Sequence, residues 1–423
     1  MKKLLLAAVS ALSVTTLASC GGDSEVFKPA LDTKTACSIK VIGDYDNFEA
    51  LEKEFDRFNE YYPNVDLTYE KPDDYKNMLA TILEGKDKPN IFFSYTWMND
   101  NEKYAPAFTH MEDLSDPSLK MNLDCIRPGL INRDADKKVY MVPVFSRTYG
   151  MLVNNDLFKK ESLAVPSTWN DLLQVCKSFS DKAYQSPMMG FTKTDSSSLA
   201  NTVAYPMFVA KLANDPAALK LANDLDPAAG PYMKDALEAV DKLAKDKCFN
   251  ITECDKIQNN YGEVILRFFE GDVPMMVCAG DTASGTKKRE TQSEAFKKSP
   301  FDYSFYPIPV TDKGGYFIDS PSVEFSVNKN CENLDMTNEF MRFLIRTQEL
   351  NQMASEKRLV TPAKQMSFDP IYAPFGNIPS DRTFSPEIIG IKDPLAVQIR
   401  KAAYKVGKGE LSVEQAIAQY GNL

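Results

Sequence analysis

Apolar positions along this chain change period several times, and each change marks an element. Ser38–Ile42 is a short β-like run. Phe48, Leu51, Phe55, Phe58 and Tyr62 then recur at the spacing of one helical face. They follow Asp46-Asn47-Phe48-Glu49, which reads as a capping box with Asp46 as N-cap. Pro63 and Asn64 stop that helix, and Val65, Leu67 and Tyr69 alternate as a strand does. Asp73–Glu84 returns to helical spacing with Met78, Leu79, Ile82 and Leu83 inward, Gly85 ends it, and Ile91–Phe93 is a third strand. This β-α-β-α-β alternation predicts a mainly parallel sheet with helices on both faces. Ligands of such sheets bind beyond the C-terminal strand ends, which here are Gly43-Asp44-Tyr45 and Ser94-Tyr95-Thr96-Trp97.

Farther along, Thr168 caps a helix whose Leu172, Val175, Cys176 and Phe179 face inward, with Trp169 as a structural first-turn residue. Helices recur near Leu199–Leu212, Tyr232–Asp246, Tyr261–Glu270 and Thr337–Ile345. Val273–Val277, Phe301–Pro309 and Val323–Asn328 read as strands. Two helices close the chain, near Leu395–Val406 and Ser412–Tyr420, the second behind a Ser412-x-x-Gln415 capping box.

The N-terminus has a different pattern. Lys2 and Lys3 precede an apolar run from Leu4 to Leu17, then small residues and Cys20, the order of a secretory signal. The run is shorter than the roughly 20 apolar residues of a membrane-spanning helix. Leu17-Ala18-Ser19-Cys20 resembles the lipobox of bacterial lipoproteins. That resemblance implies cleavage after residue 19, a lipid-anchored Cys20 and an extracytoplasmic protein held on a membrane; the alternative is a plain signal peptide with an incidental cysteine. Residues 20–36 read as a lipidated tether.

Composition narrows the function classes. The chain has 423 residues and a net charge of −10, or −12 once Lys2 and Lys3 are gone. This length calls for two domains. The acidity excludes nucleic acid as a natural partner. Eight cysteines are present; Cys248 and Cys254, which enclose five residues in CFNITEC, are a candidate local disulfide, and at least one thiol stays free. His110 is the sole histidine and there is no CxxC pair, so neither a zinc site nor histidine-based nucleophilic catalysis is expected, and no cofactor is implied.

Six separated segments resemble, in order, the family 1 extracellular solute-binding proteins of ATP-binding-cassette importers, the maltose-binding-protein-like group. They are VPVFSRTYGMLVNNDLFKK, VPSTWNDLL, FFEGDVPMMVCAGD, VEFSVNKNCENLDMTNEFMRFL, LVTPAK and GELSVEQAIAQ. The resemblance implies an α/β fold of two hinge-connected lobes around a ligand cleft. One lobe would hold 37–149 and 308–345, the other 150–307 and 346–423. Crossings would fall near Tyr149–Val153, Ser304–Pro309 and Leu350–Pro362. The protein would act as a monomer, close on a small solute and present it to a permease. Two stretches depart from the family pattern, both at the expected cleft: the reduced Gly314-Gly315 glycine run, and Gly280-Asp281-Thr282-Ala283, where many relatives carry an aromatic.

A sugar site combines aromatic plates with side chains that grip hydroxyls. The candidates are Asp44 and Tyr45 after the first strand, Trp97 in the loop SYTWMND, Arg147 and Tyr149 at the first crossing, and Asp281 at a strand end, with Tyr205 and Tyr316. The leading reading is a binding protein for an oligosaccharide. A polyamine or other cationic solute is the alternative that the net charge allows. A surface polysaccharide-binding protein without a transporter and a glycoside hydrolase come after it, the last lacking any recognisable carboxylate motif.

Overall fold

A computed structural model describes residues 26–99, 101–182, 184 and 186–423. The expected leader and the expected lipidation site at Cys20 lie outside the described residues. Eleven strands occur among the latter: β1 Cys37–Ile42, β2 Val65–Glu70, β3 Ile91–Ser94, β4 Val142–Arg147, β5 Tyr149–Asn154, β6 Met188–Met189, β7 Met275–Ala279, β8 Tyr303–Tyr306, β9 Phe317–Ile318, β10 Ser320–Val327 and β11 Thr383–Phe384. They form a five-stranded sheet in the order β2-β1-β3-β10-β4, a four-stranded sheet in the order β6-β7-β5-β8, and a β11-β9 pair. In the first sheet β1 runs parallel to β2 and β3, whereas β10 runs antiparallel to β3 and β4.

Each large sheet has its own apolar core. The first gathers Phe27 to Phe145 with Val323 to Leu359 and Ala363; the second gathers Met151 to Ile318 with Val360 and Ile371 to Tyr420. The chain passes from the first core to the second between Arg147, which ends β4, and Tyr149, which begins β5. It returns at Asp319, between β9 and β10, and leaves again at Leu359–Ala363.

These cores divide the chain differently from the sequence division in two stretches. Residues 308–318 belong with the second core, because Met151↔Tyr306 pairing holds β8 beside β5 and Phe317 packs on Phe375 at 5.7 Å. The helix Thr347–Lys357 belongs with the first core, where it buries Leu350, Met353 and Ala354. The expected tether is also shorter. Phe27 is buried against Phe58, Tyr61 and Phe343 beneath the Arg342 guanidinium, and Ala30 N–H donates to Glu339.

Locally encoded features form as the sequence indicates. Thr168 and Asp171 complete a reciprocal capping box, as do Ser412 and Gln415. Asp46 does not cap. The first helix spans Glu49–Asn59 with Phe48 at its N-cap position and no side-chain cap, and Asp46 instead pairs with Lys71 at 2.8 Å. The reason is tertiary: Tyr45 N–H donates to the Tyr69 hydroxyl, which donates back to the Tyr45 carbonyl, so the turn is tied to β2 before the helix begins. The second helix, Tyr75–Glu84, buries Tyr75, Leu79 and Leu83, while Met78 is exposed.

The contact between the helices Glu49–Asn59 and Thr347–Lys357 carries a buried charge cluster with a measurable consequence. Arg57 lies between Glu54 at 3.1 Å and Glu349 at 2.7 Å. Burial pushes the Glu54 carboxyl up to about 8 despite Arg57, and Glu349 is raised by burial too. An acid raised on folding stabilises most below its unfolded value of 4.5, and that contribution drains away as pH climbs towards 8. The expected result is a Tm several degrees higher at about pH 5.5 than at about pH 8.5, with Glu54→Gln reducing the dependence. A Tm independent of pH over that interval would contradict it.

Candidate functional site

The first wall of the cleft is built by strand ends. After β1, Gly43 lets the chain pass the Phe93 ring, which a Cβ there would meet at 2.5 Å. This close approach seats the half-buried Tyr45 ring edge-on to Phe48 at 5.2 Å and to Phe93 at 5.3 Å. Lys357 Nζ sits 4.7 Å from the Tyr45 ring centre. Asp44 pairs with Lys76 at 2.8 Å, and that ammonium lies 5.5 Å over Tyr95. After β3, Tyr95 stacks on Trp97 at 5.5 Å and 19°, and Tyr104 meets the indole edge-on at 5.3 Å. Trp97 is thereby held while remaining 37% exposed.

The second wall starts where β4 gives way to β5. Gly280 N–H donates to the Thr148 carbonyl at 2.8 Å, which fixes Asp281 beside the crossing. Asp281 lies 3.6 Å from Arg147 and accepts from the Ser322 hydroxyl at 3.1 Å. Arg147 Nε is buried with no partner. Tyr149 packs edge-on to Tyr205 at 6.0 Å, and the Arg400 guanidinium lies over Tyr205 at 6.0 Å. Burial raises the Tyr205 hydroxyl far above its ordinary value.

Together the walls enclose a cleft of about 1540 Å³. Of the eight candidates, Asp44, Tyr45, Trp97, Arg147, Tyr149, Tyr205 and Asp281 line it. Tyr316 does not. It precedes β9, whose pairing with β11 turns this segment to the second core, and its ring packs on Phe384 at 5.6 Å. Lys357, Glu387 and Arg400, which also line the cleft, are not foreshadowed by any motif. They arrive on segments returning late in the chain, and only the closing helix pattern around Arg400 hinted at any element there. Behind the wall, Glu324 on β10 accepts from the Thr96 hydroxyl at 2.9 Å, and burial pushes its carboxyl up to about 8.

The cysteines lie elsewhere. Cys248 and Cys254 are both buried free thiols and are not joined. Cys254 ends the short helix Ile251–Cys254 with Ser186 and Gly190 as neighbours, whereas the neighbour of Cys248 is Cys176. Among the described residues no group of histidine, cysteine, aspartate and glutamate side chains is arranged to hold a metal, and no helix is long and apolar enough to cross a membrane.

The cleft mixes rings with charged groups of both signs. Six aromatic residues line it, and acidic and basic side chains line it in equal number, although the whole chain is acidic. Flat apolar plates suit sugar ring faces, and paired charged groups suit hydroxyls that both donate and accept.

Known proteins resemble this chain in sequence and in fold. A family model for bacterial extracellular solute-binding proteins matches residues 43–349. The melibiose/raffinose/stachyose-binding protein MelE of Bacillus subtilis is 20% identical over 372 residues, which are 86% of this chain and 82% of MelE. Apo RafE from Streptococcus pneumoniae superposes with a TM-score of 0.68 at 18% identity, covering 92% of this chain and 97% of RafE. The sugar-binding protein MalE from Xanthomonas citri gives 0.68 at 15% identity, covering 91% and 95%.

Proposed function

The chain belongs to the bacterial extracellular solute-binding proteins, and from that premise we propose that it captures a neutral oligosaccharide between its two lobes and delivers it to an ATP-binding-cassette permease, held at the membrane through a lipid on Cys20. The lobes are the two cores with their sheets, and the chain crosses between them at residues 147–149, 319 and 359–363. Closure about those three crossings buries a ligand that neither wall holds alone.

One observation carries this reading. A preformed aromatic plate, Trp97 on Tyr95, lines the same cleft as Arg147, Asp281, Tyr149 and Tyr205. The volume of about 1540 Å³ exceeds that of an ordinary drug-sized pocket and leaves room for several sugar units. The named sugars of MelE are of that kind. A polyamine fits less well, because basic side chains match the acidic ones around the cleft and Arg147 is among them.

The test is a thermal-shift screen of the purified protein against raffinose, stachyose, maltotriose and spermidine. A ligand at a hundred times its Kd stabilises by about 2.7 kcal/mol, a shift of several degrees. The expected outcome is a response to at least one oligosaccharide and none to spermidine, with no reducing sugar released on prolonged incubation. A response to spermidine alone would replace the sugar by a cation.

A further inference from the structure

Glu387 is the least satisfied acid in the cleft. It lies on the short helix Pro386–Ile389 and lines the second wall, yet its Oε2 is buried with no hydrogen-bond partner. The groups around it come from several elements. Arg147 ends β4, Asp319 and Ser320 enter β10, Glu324 lies farther along β10, and Tyr205 lies on the helix Tyr205–Ala213. Arg127, near the turn Pro128–Leu130 that packs on the Glu387 helix, is engaged by Asp319 at 2.7 Å and so is not available to Glu387. Arg400, from the helix Asp393–Gly407, faces Tyr205, and Asp281 takes up Arg147. The donors that reach the Glu387 carboxyl are its own backbone amide and the Ser320 hydroxyl.

We propose that Glu387 is a ligand-reading residue of the second lobe, its unpartnered oxygen reserved for a hydroxyl of the bound sugar, and that sugar binding draws this carboxyl towards its ionised form. The assignment rests on the oligosaccharide reading above. The geometry supplies the reason. A buried acceptor without a donor is costly, and a sugar hydroxyl entering between Arg147, Tyr205 and Glu387 supplies the missing donor. Burial pushes this carboxyl up to about 7, with Asp319 adding to the rise and Arg147 opposing it. A hydroxyl donating to the ionised form favours that form, because a charge-assisted bond is the stronger one. Binding therefore lowers the carboxyl's affinity for its proton, and the sugar binds more tightly once the proton has gone.

The sign follows. Affinity for the sugar rises with pH through neutrality and levels off above it, with at most about half a proton released per sugar near pH 7 and more below it. Calorimetry with raffinose, stachyose and maltotriose in two buffers of different ionisation enthalpy, from about pH 5.5 to 8.5, reads both quantities on the purified protein. Glu387→Gln keeps the shape and removes the titration. It is expected to bind the responding sugar roughly tenfold more weakly at pH 8, with a flat pH profile and no proton release. Wild-type affinity in the Gln variant, or a wild-type profile that is flat or falls with pH, overturns the assignment while leaving the sugar reading intact. Silence of all three sugars toward the wild type overturns both. A Tm of Glu387→Gln within a few degrees of the wild type shows that lost affinity is not lost folding.

Discussion

Replacing Arg127 by alanine should lower the stability of the ligand-free protein by about 3–5 kcal/mol, the range for removing one partner of a buried ion pair. Arg127 touches all three crossings at once. Its Nε and one terminal nitrogen form a fork on Asp319 at 2.7 and 2.8 Å. The same nitrogen donates to Ser146 Oγ at 3.0 Å, and the other donates to the carbonyls of Thr361 and Ala363 at 2.7 and 2.8 Å. The Asp319 side chain is only 5% exposed and that of Arg127 14%. Alanine would strand a buried carboxylate and two buried carbonyls at the pivot of the molecule. The measurement is thermal or urea unfolding, with an expected fall in Tm of about 5–10 °C. Arg127→Lys should recover only part, since an ammonium cannot make the planar fork. The double change Arg127→Met with Asp319→Leu should recover most of it, since the loss comes from an unpaired buried charge and not from a missing attraction. Equal losses in the single and double variants would refute that account.

What was legible in the sequence was local or periodic. Phe48, Leu51, Phe55, Phe58 and Tyr62 are all buried, as their spacing implied, because one helical stripe meeting one core needs no knowledge of distant chain. The capping boxes at Thr168 and Ser412 likewise depend on four consecutive residues. Asp46 has the same local signature and fails, because Tyr69 and Lys71, both on or beside β2, claim the turn first. The strand-end rule brought Asp44, Tyr45 and Trp97 to the cleft, since a parallel sheet exposes its C-terminal ends whatever packs beneath it. Arg127 and Glu387 carried no such signal. Their roles exist only once 319–320, 361–363 and 386–389 have been folded back against the first crossing, a condition of topology rather than of neighbours in sequence.

The two walls divide the labour differently. The second wall is held by charge and hydrogen bonding around Arg147 and the Arg127 pivot, so it changes with pH and with hinge geometry. The first wall is held by rings: Tyr45 against Phe48 and Phe93, and Trp97 between Tyr95 and Tyr104. Ring packing has no proton to lose. Sugar contact with the first wall should therefore contribute the same free energy at every pH, and the pH dependence of capture should come from the second.

Trp97→Ala should accordingly give the largest loss of sugar affinity of any single change, at unchanged pH dependence. The indole is fixed by stacking on Tyr95 and by the edge of Tyr104, so little side-chain freedom is lost when a sugar ring settles on its open face. Its 37% exposure means that truncation removes little from the core. The expected effect is about 2 kcal/mol or more, roughly thirtyfold in Kd for the responding oligosaccharide, with a Tm change under a few degrees. Trp97→Phe should retain part of the affinity, because a smaller ring still presents an apolar plate. Calorimetry on the three proteins at two pH values decides the matter. A large Tm loss with unchanged affinity would make Trp97 a packing residue of the first lobe, and the plate would have to be sought at Tyr45 or Tyr261, two of the five other aromatic residues that line the same cleft.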